Sequence, residues 1–147
     1  MRFKFPMQKV LEHRKVVENL AQKDFQDAVA VLKEFQDKLD KMRQEILDAQ
    51  ARAGSLLQVG GTQGPALTQI HEFLKGQKLR IEQQEYKVQE IEKIVEYKRE
   101  ILRQAALDYK IMEKVRENKF EEYKAERKIQ DQKEADEQSI LRFKRNS

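Results

Sequence analysis

The sequence predicts an all-α fold: a long antiparallel two-helix coiled-coil hairpin with an overhanging C-terminal helix. Three observations lead there. Glycine and proline are scarce, five and two in 147 residues, too few to punctuate a sheet of many strands. Charged side chains make up 38% and apolar ones 39%. Ordinary globular domains have roughly 25% and 45–50%, and the dominance of Glu, Lys, Arg, Gln and Ala is that of long helices. Finally, the apolar residues recur by threes and fours along two stretches that glycine and proline hardly touch.

One domain over residues 1–147 is expected, with a first helix over about 7–53, a connecting turn over 54–65 and a second helix over about 66–142. Pro6 marks the first boundary, where a missing backbone N–H does no harm. From Met7 to Ala53 there is neither Gly nor Pro. Along this helix Phe25, Ala28, Leu32, Phe35, Leu39, Met42, Ile46, Ala49 and Ala53 step by alternating threes and fours, the seam spacing of an under-wound helix. Upstream, Val10, Val17, Ala21 and Phe25 extend the stripe with two consecutive steps of four, a stutter that unwinds a supercoil locally. Gly54 suits the left-handed residue that closes a helix, and Pro65 suits the first position of the next.

The second helix carries Leu67, Ile70, Leu74, Gln77, Ile81, Gln84, Val88, Ile91, Val95, Lys98, Leu102, Ala105, Tyr109 and Met112 at the same spacing, three of them polar in seam slots. At 1.5 Å per residue the two helices are about 70 and 115 Å long. Folded back on each other, they set residue 53 against about 67 and residue 7 against about 112. The periodic seam stops at Met112, where its partner runs out. Residues 113–147 have no sustained heptad, so they need a partner to pack against, which makes them the first candidate for function.

Charge and chemistry exclude several classes. The 30 basic and 26 acidic groups are interleaved: 11 and 9 over residues 1–53, 10 and 9 over 113–147. That pattern argues against a nucleic-acid binder, which needs clustered Lys and Arg. No stretch is long and apolar enough to span a membrane. The start, Met1 to Pro6, is not followed by the apolar region of a signal peptide, and a cytoplasmic location is expected. The absence of cysteine removes disulfides and thiolate chemistry.

His71-Glu72-Phe73-Leu74-Lys75 begins like a zinc-protease helix but has Lys75 where the second ligand would stand, and His13, facing about 106, cannot supply it. Gly60-Gly61-Thr62-Gln63-Gly64 lacks the Lys-Ser/Thr of a phosphate loop and reads as turn chemistry. Paired carboxylates such as Glu121-Glu122 have no closed cleft in which to be tuned. They belong to solvated faces supported by pairs such as Glu34–Lys38, Asp37–Lys41 and Asp48–Arg52. No enzyme, metal or cofactor is expected. Apolar residues off the seam include Leu57, Val59, Phe73 and Leu79 near the tip, then Tyr86, Ile94, Tyr97 and Ile101, and Phe73 with the tip residues makes a candidate contact patch.

Both ends carry a recognisable pattern. The opening Arg2-Phe3-Lys4-Phe5-Pro6-Met7-Gln8-Lys9-Val10-Leu11-Glu12-His13-Arg14, with Gln132-Lys133-Glu134-Ala135-Asp136-Glu137 and Arg142-Phe143 at the far end, resembles the FliJ family of flagellar type III export proteins. The resemblance implies a stalk-like hairpin similar to the central gamma subunit of rotary ATP synthases. It implies binding to the hexameric export ATPase FliI and contacts to the export gate protein FlhA and to export chaperones. On that basis Phe3, Phe5, Lys133, Glu134, Asp136 and Glu137 are candidates for ATPase binding. Ile46, Phe73 and Gln77 are candidates for export-gate binding. The hairpin is expected to sediment as an elongated monomer, and the resemblance places it peripheral to the inner membrane at the flagellar base through its partners. The rival readings are the equivalent stalk protein of a virulence-type secretion system and a purely structural spacer rod, which would form a stable homodimer.

Overall fold

The computed structural model describes residues 2–60 and 64–146. Two helices, α1 (Gln8–Val59) and α2 (Gly64–Asn146), account for nearly all of them, and they pack antiparallel as an all-α hairpin. No described residue lies in a strand. Gly61, Thr62 and Gln63, inside the expected connection, fall outside the described residues.

The helix ends follow from local chemistry. Phe5, Pro6, Met7 and Gln8 form a turn in which the Gln8 N–H donates to the Phe5 carbonyl at 3.1 Å. Proline suits its second position because the ring presets φ. Leu11 N–H then donates to the Met7 carbonyl at 3.0 Å, the first rung of α1. The helix passes through Gly54 and ends six residues beyond Ala53, with Gly60 rather than Gly54 in the left-handed conformation (φ 69°). Leu56 is half-buried. Continuing the helix buries one more seam position, which offsets the roughly 1 kcal/mol that a helical glycine costs. Pro65 lies in the first turn of α2, where no rung is lost, and Thr68 Oγ1 donates back to the Gly64 carbonyl at 3.0 Å. Lys144 and Arg145 occupy the last turn, beside the negative end of the helix dipole.

Contacts group the chain into two compact units, Ala21–Leu102 and Met1–Leu20 with Arg103–Ser147. In the first, Ala21, Leu39 and Ala49 of α1 and Ile70, Val88 and Val95 of α2 are buried. The bulkier seam residues Phe25, Leu32, Phe35, Met42, Ile46, Ile81, Ile91 and Leu102 are half-buried, since two helices enclose each side chain on one side only. Two α2 glutamines sit in this seam at 2% and 3% exposure. Gln77 Nε2 donates to the Met42 carbonyl at 3.1 Å and Gln84 Nε2 to the Phe35 carbonyl at 3.0 Å. Being seven residues apart, they repeat one contact over two turns and fix the register of α2 against α1.

In the other unit Leu11, Ala105 and Met112 are buried and Tyr109 is half-buried. The seam of α1 here differs from the expected one. Val10 and Val17 are exposed, while Leu11, Arg14 and Glu18 face inward. From Leu11 to Leu56 the inward positions of α1 therefore step by threes and fours without interruption, and there is no stutter. The apolar residues mislead because long charged side chains bury their stems while placing their heads at polar partners. Arg14 Nη1 donates to the Asp108 carbonyl at 2.9 Å, whereas Glu18 buries its Oε2 without a hydrogen bond, 3.7 Å from the Lys15 Nζ charge. The Tyr109 hydroxyl hydrogen-bonds Glu113, and with partial burial and the negative charges of Glu113 and Glu18 this raises its pKa above the ordinary phenol value.

The surface pairing also departs from expectation. Glu34–Lys38, Asp37–Lys41 and Asp48–Arg52 form no ion pairs among the described residues, and Asp48 accepts from Gln44 instead at 3.1 Å. The pairs along each helix are spaced by three, such as Glu90–Lys93 at 3.1 Å and Glu121–Lys124 at 3.0 Å. Both spacings are near neighbours on a helix, and their energies differ too little for sequence to choose.

Candidate functional site

Two surfaces present chemistry beyond packing. The first lies in the Ala21–Leu102 unit, around Phe73. Of the three residues assigned to gate contact, Phe73 alone offers appreciable surface, at 36% exposure. Ile46 is half-buried in the seam and Gln77 is internal. Phe73 nevertheless belongs to a connected network. The Arg80 guanidinium lies over its ring, 5.6 Å from the centroid, while Arg80 Nε donates to Gln77 Oε1 at 2.8 Å. The other end of the Gln77 amide reaches Glu45 Oε2 at 3.0 Å as well as the Met42 carbonyl.

Gly76 makes this arrangement possible. A Cβ there would sit 3.0 Å from Arg80 Nη1 and 3.5 Å from Nη2, so a side chain would push the guanidinium from its present position by a few tenths of an ångström. A glycine inside a strong helical pattern is itself a signal of close approach. Arg80 and Glu45 were passed over. Nothing in their sequence context marks them, because α1 and α2 must pair before they meet.

The second surface is the far part of α2, in the other unit. From Lys124 to Asn146 every residue is exposed. Lys133, Glu134, Asp136 and Glu137 all lie there in continuous helix, and Gln132 Nε2 donates to Asp136 Oδ1 at 3.2 Å. Ile129, Ile140, Leu141 and Phe143 are exposed beside them at 56–77%. No buried face holds this stretch.

The N-terminal aromatic residues lie elsewhere than expected. Phe3 packs edge-on against Phe120 at 5.2 Å between centroids and against Tyr123 at 5.4 Å, with the Arg116 guanidinium 5.9 Å from its ring. Arg116 Nε also donates to Gln8 Oε1 at 3.2 Å. Phe3 and Phe5 are both half-buried. Tyr123 and Lys133 are ten residues apart, about 15 Å along a helix, so the two halves of the expected ATPase surface are separate patches. The segment before α1 thus covers α2 beyond Met112, and the uncovered stretch begins near Lys124 instead of residue 113. The sequence hint was the basic–aromatic alternation of residues 2–5 together with Phe120 and Tyr123 one turn apart on α2.

Among the described residues no three His, Asp or Glu side chains gather to hold a metal, and no helix is long and apolar enough to cross a membrane. What these surfaces present are exposed rings and charges on continuous helix. Comparison with known proteins supplies the context: a family model described as "Flagellar FliJ protein" matches residues 3–147. No curated protein and no solved structure matches the chain.

Proposed function

This chain belongs to the FliJ family of non-catalytic flagellar type III export components, and on that premise we propose that it is a stalk-like adaptor between ATPase and gate. In this reading the exposed stretch of α2 from Lys124 to Asn146 docks into the hexameric export ATPase, favouring its assembly and activity. The helix around Phe73 meets the membrane export gate, and export chaperones bind along the protein. The protein stays cytoplasmic, held at the inner membrane through these partners.

The observation that carries the proposal is the family match over residues 3–147, joined to a long stretch of helix that buries nothing within its own chain. A lone α-helix is about 10–12 Å across with its side chains, a size suited to the opening of a ring. Lys133, Glu134, Asp136 and Glu137 supply charges able to pair with several subunits at once. Phe3 acts one step back, by holding the helix at Phe120 and Tyr123, and Phe5 by closing the turn that leads into α1. At the gate surface Phe73 makes contact, while Ile46 and Gln77 support it from the seam.

Mixing the protein with its cognate export ATPase tests the first half, with hexamer formation and hydrolysis as readouts. The double reversal Asp136→Lys and Glu137→Lys should lower the apparent affinity at least tenfold at physiological salt; unchanged binding and stimulation would sink this placement. For the gate, Phe73→Ala should weaken FlhA binding by about 1–2 kcal/mol, as expected for a partly exposed aromatic anchor. An unaltered affinity in calorimetry would remove Phe73 from the interface.

A further inference from the structure

Beside the Phe73 network a shallow groove of about 420 Å³ runs between α1 and α2 within the Ala21–Leu102 unit. Lys38 and Lys41 line it from α1, and Arg80 and Lys87 from α2. Its floor is made by Met42 and the buried amides of Gln77 and Gln84. Glu45 is the single carboxylate in the lining, and its Oε2 already accepts from Gln77. None of the four cations has an ion pair among the described residues, although ion pairs are frequent on the rest of this surface. We propose that this groove is a receptor for an acidic helical segment of a partner protein, with Arg80 as the pinned anchor for one carboxylate.

Arg80 is unlike an ordinary surface arginine. Its Nε is committed to Gln77 Oε1 at 2.8 Å, its plane lies over the Phe73 ring, and the bare backbone of Gly76 lets it rest there. The two Nη groups have no acceptor among the described residues. An arginine held this way has already lost most of its rotamer freedom, and its remaining fork matches a carboxylate end-on. Lys87 lies seven residues farther along α2, about 10 Å away. Carboxylates at i and i+7 of an incoming helix have that same separation, with Lys38 and Lys41 on the opposite wall of the groove. The three glutamines of the lining, Gln77, Gln83 and Gln84, add neutral hydrogen-bonding groups along the same path.

Nucleic acid fits less well. A phosphate chain draws its affinity from many contacts, on the order of six to ten for a typical protein. Here four cations are confined to about two helical turns, with a carboxylate among them. The inference rests on the reading that this face meets a partner, and adds the chemistry of what binds.

The test uses the whole protein and a fluorescein-labelled, alanine-based helical peptide carrying Glu at i, i+3 and i+7. The same peptide with Gln in place of Glu, and a single-stranded oligothymidylate, serve as controls in anisotropy titrations. The Glu peptide should bind at least tenfold tighter than the Gln peptide, with an affinity that falls as salt rises. Arg80→Lys, which keeps the charge but loses the fork, should weaken it about tenfold, and Lys87→Gln severalfold. Gly76→Ala, which alters no charge and favours helix, should also weaken it, by less than Arg80→Lys, because its methyl displaces the guanidinium slightly. Circular dichroism of each variant checks that the helices persist.

Equal binding of Glu and Gln peptides, indifference to Arg80→Lys, or tighter binding of the oligothymidylate at the same residues would each overturn the proposal. FlhA serves as a separate arm. Binding that is lost in Phe73→Ala yet insensitive to Arg80→Lys and to salt would leave gate docking standing and remove the acidic occupant. Glu-peptide binding without any FlhA binding would do the reverse.

Discussion

Two stretches of α2 make an instructive pair: Ile81 to Val95 and Lys124 to Asn146. Both are helical and both are dense with Glu, Lys and Gln. In the first, every third or fourth residue turns inward, and Ile81, Gln84, Val88, Ile91 and Val95 are buried or half-buried against α1. In the second, Ile129, Ile140, Leu141 and Phe143 are as apolar as those residues yet remain in solvent. The difference lies in periodicity and in density: six of 15 residues are apolar in the first stretch and six of 23 in the second, where they follow no sustained spacing. Helical propensity is shared by both; a continuous apolar seam with a neighbour to receive it belongs to one. A helix without such a seam depends on a binding partner for most of its stability, and a docking surface has the same need.

Substitutions can break this comparison, and the largest effect should come from the seam itself. Leu39→Ala removes a side chain at 6% exposure and should destabilise the protein by about 2–3 kcal/mol in urea unfolding, near the low end for buried leucine because the seam is only two helices thick. Ile129→Ala, at 59% exposure, should change stability by no more than about 0.5 kcal/mol. Similar losses at both sites would show that the far stretch is packed after all.

A sharper test concerns the register. Gln84→Leu replaces a buried amide by an apolar group of similar size, and the Phe35 carbonyl it leaves is still available to its own helix. Stability should change by less than about 1 kcal/mol, in either direction. Specificity should suffer: combined with Gln77→Leu, it should let alternative pairings appear as dimers in analytical ultracentrifugation, as loss of seam polar residues does in coiled coils. A double variant that stays a sharp monomer would take the register role from the glutamines.

The smallest effect is a pH dependence in the other unit. Tyr109 has a folded pKa raised above the unfolded value of about 10, mainly by its hydrogen bond to Glu113. Its contribution to stability is therefore complete below that pH and is lost as pH rises through the folded pKa. In an absorbance titration Tyr109 should ionise above the ordinary phenol range, and Tyr109→Phe should delete that final step. A variant that left the last step in place would exclude the Glu113 contact.

Much of this protein is legible in one dimension because a coiled coil is nearly one-dimensional. Spacing by threes and fours identifies Phe25 to Ala53 and Leu67 to Met112, and antiparallel pairing follows from where that spacing stops. Reading apolar residues alone fails at Arg14 and Glu18, which hold seam positions through their stems and polar heads. It fails again at Gly54, where one more turn of packing outweighs a local preference that the residue type alone suggests. The candidate surfaces divide in the same way. The charged far end of α2 can be seen in the sequence, and so can Phe73. The orientation of Gln77 cannot, nor can the covering of Phe120 and Tyr123 by Phe3, since each joins residues far apart in the chain.

The amino-acid order alone determined that there are two helices, which face of each is apolar from Ala21 to Met112, and that the far end of α2 lacks a partner of its own. Those are properties of periodicity and composition, which act within a few turns. Tertiary structure decided where α1 stops, which polar side chains enter the seam, and that Lys38 and Lys41 share a groove with Arg80 and Lys87. These outcomes depend on competition between burial, hydrogen bonding and charge at positions brought together only when α2 lies back along α1. No local signal encodes that balance.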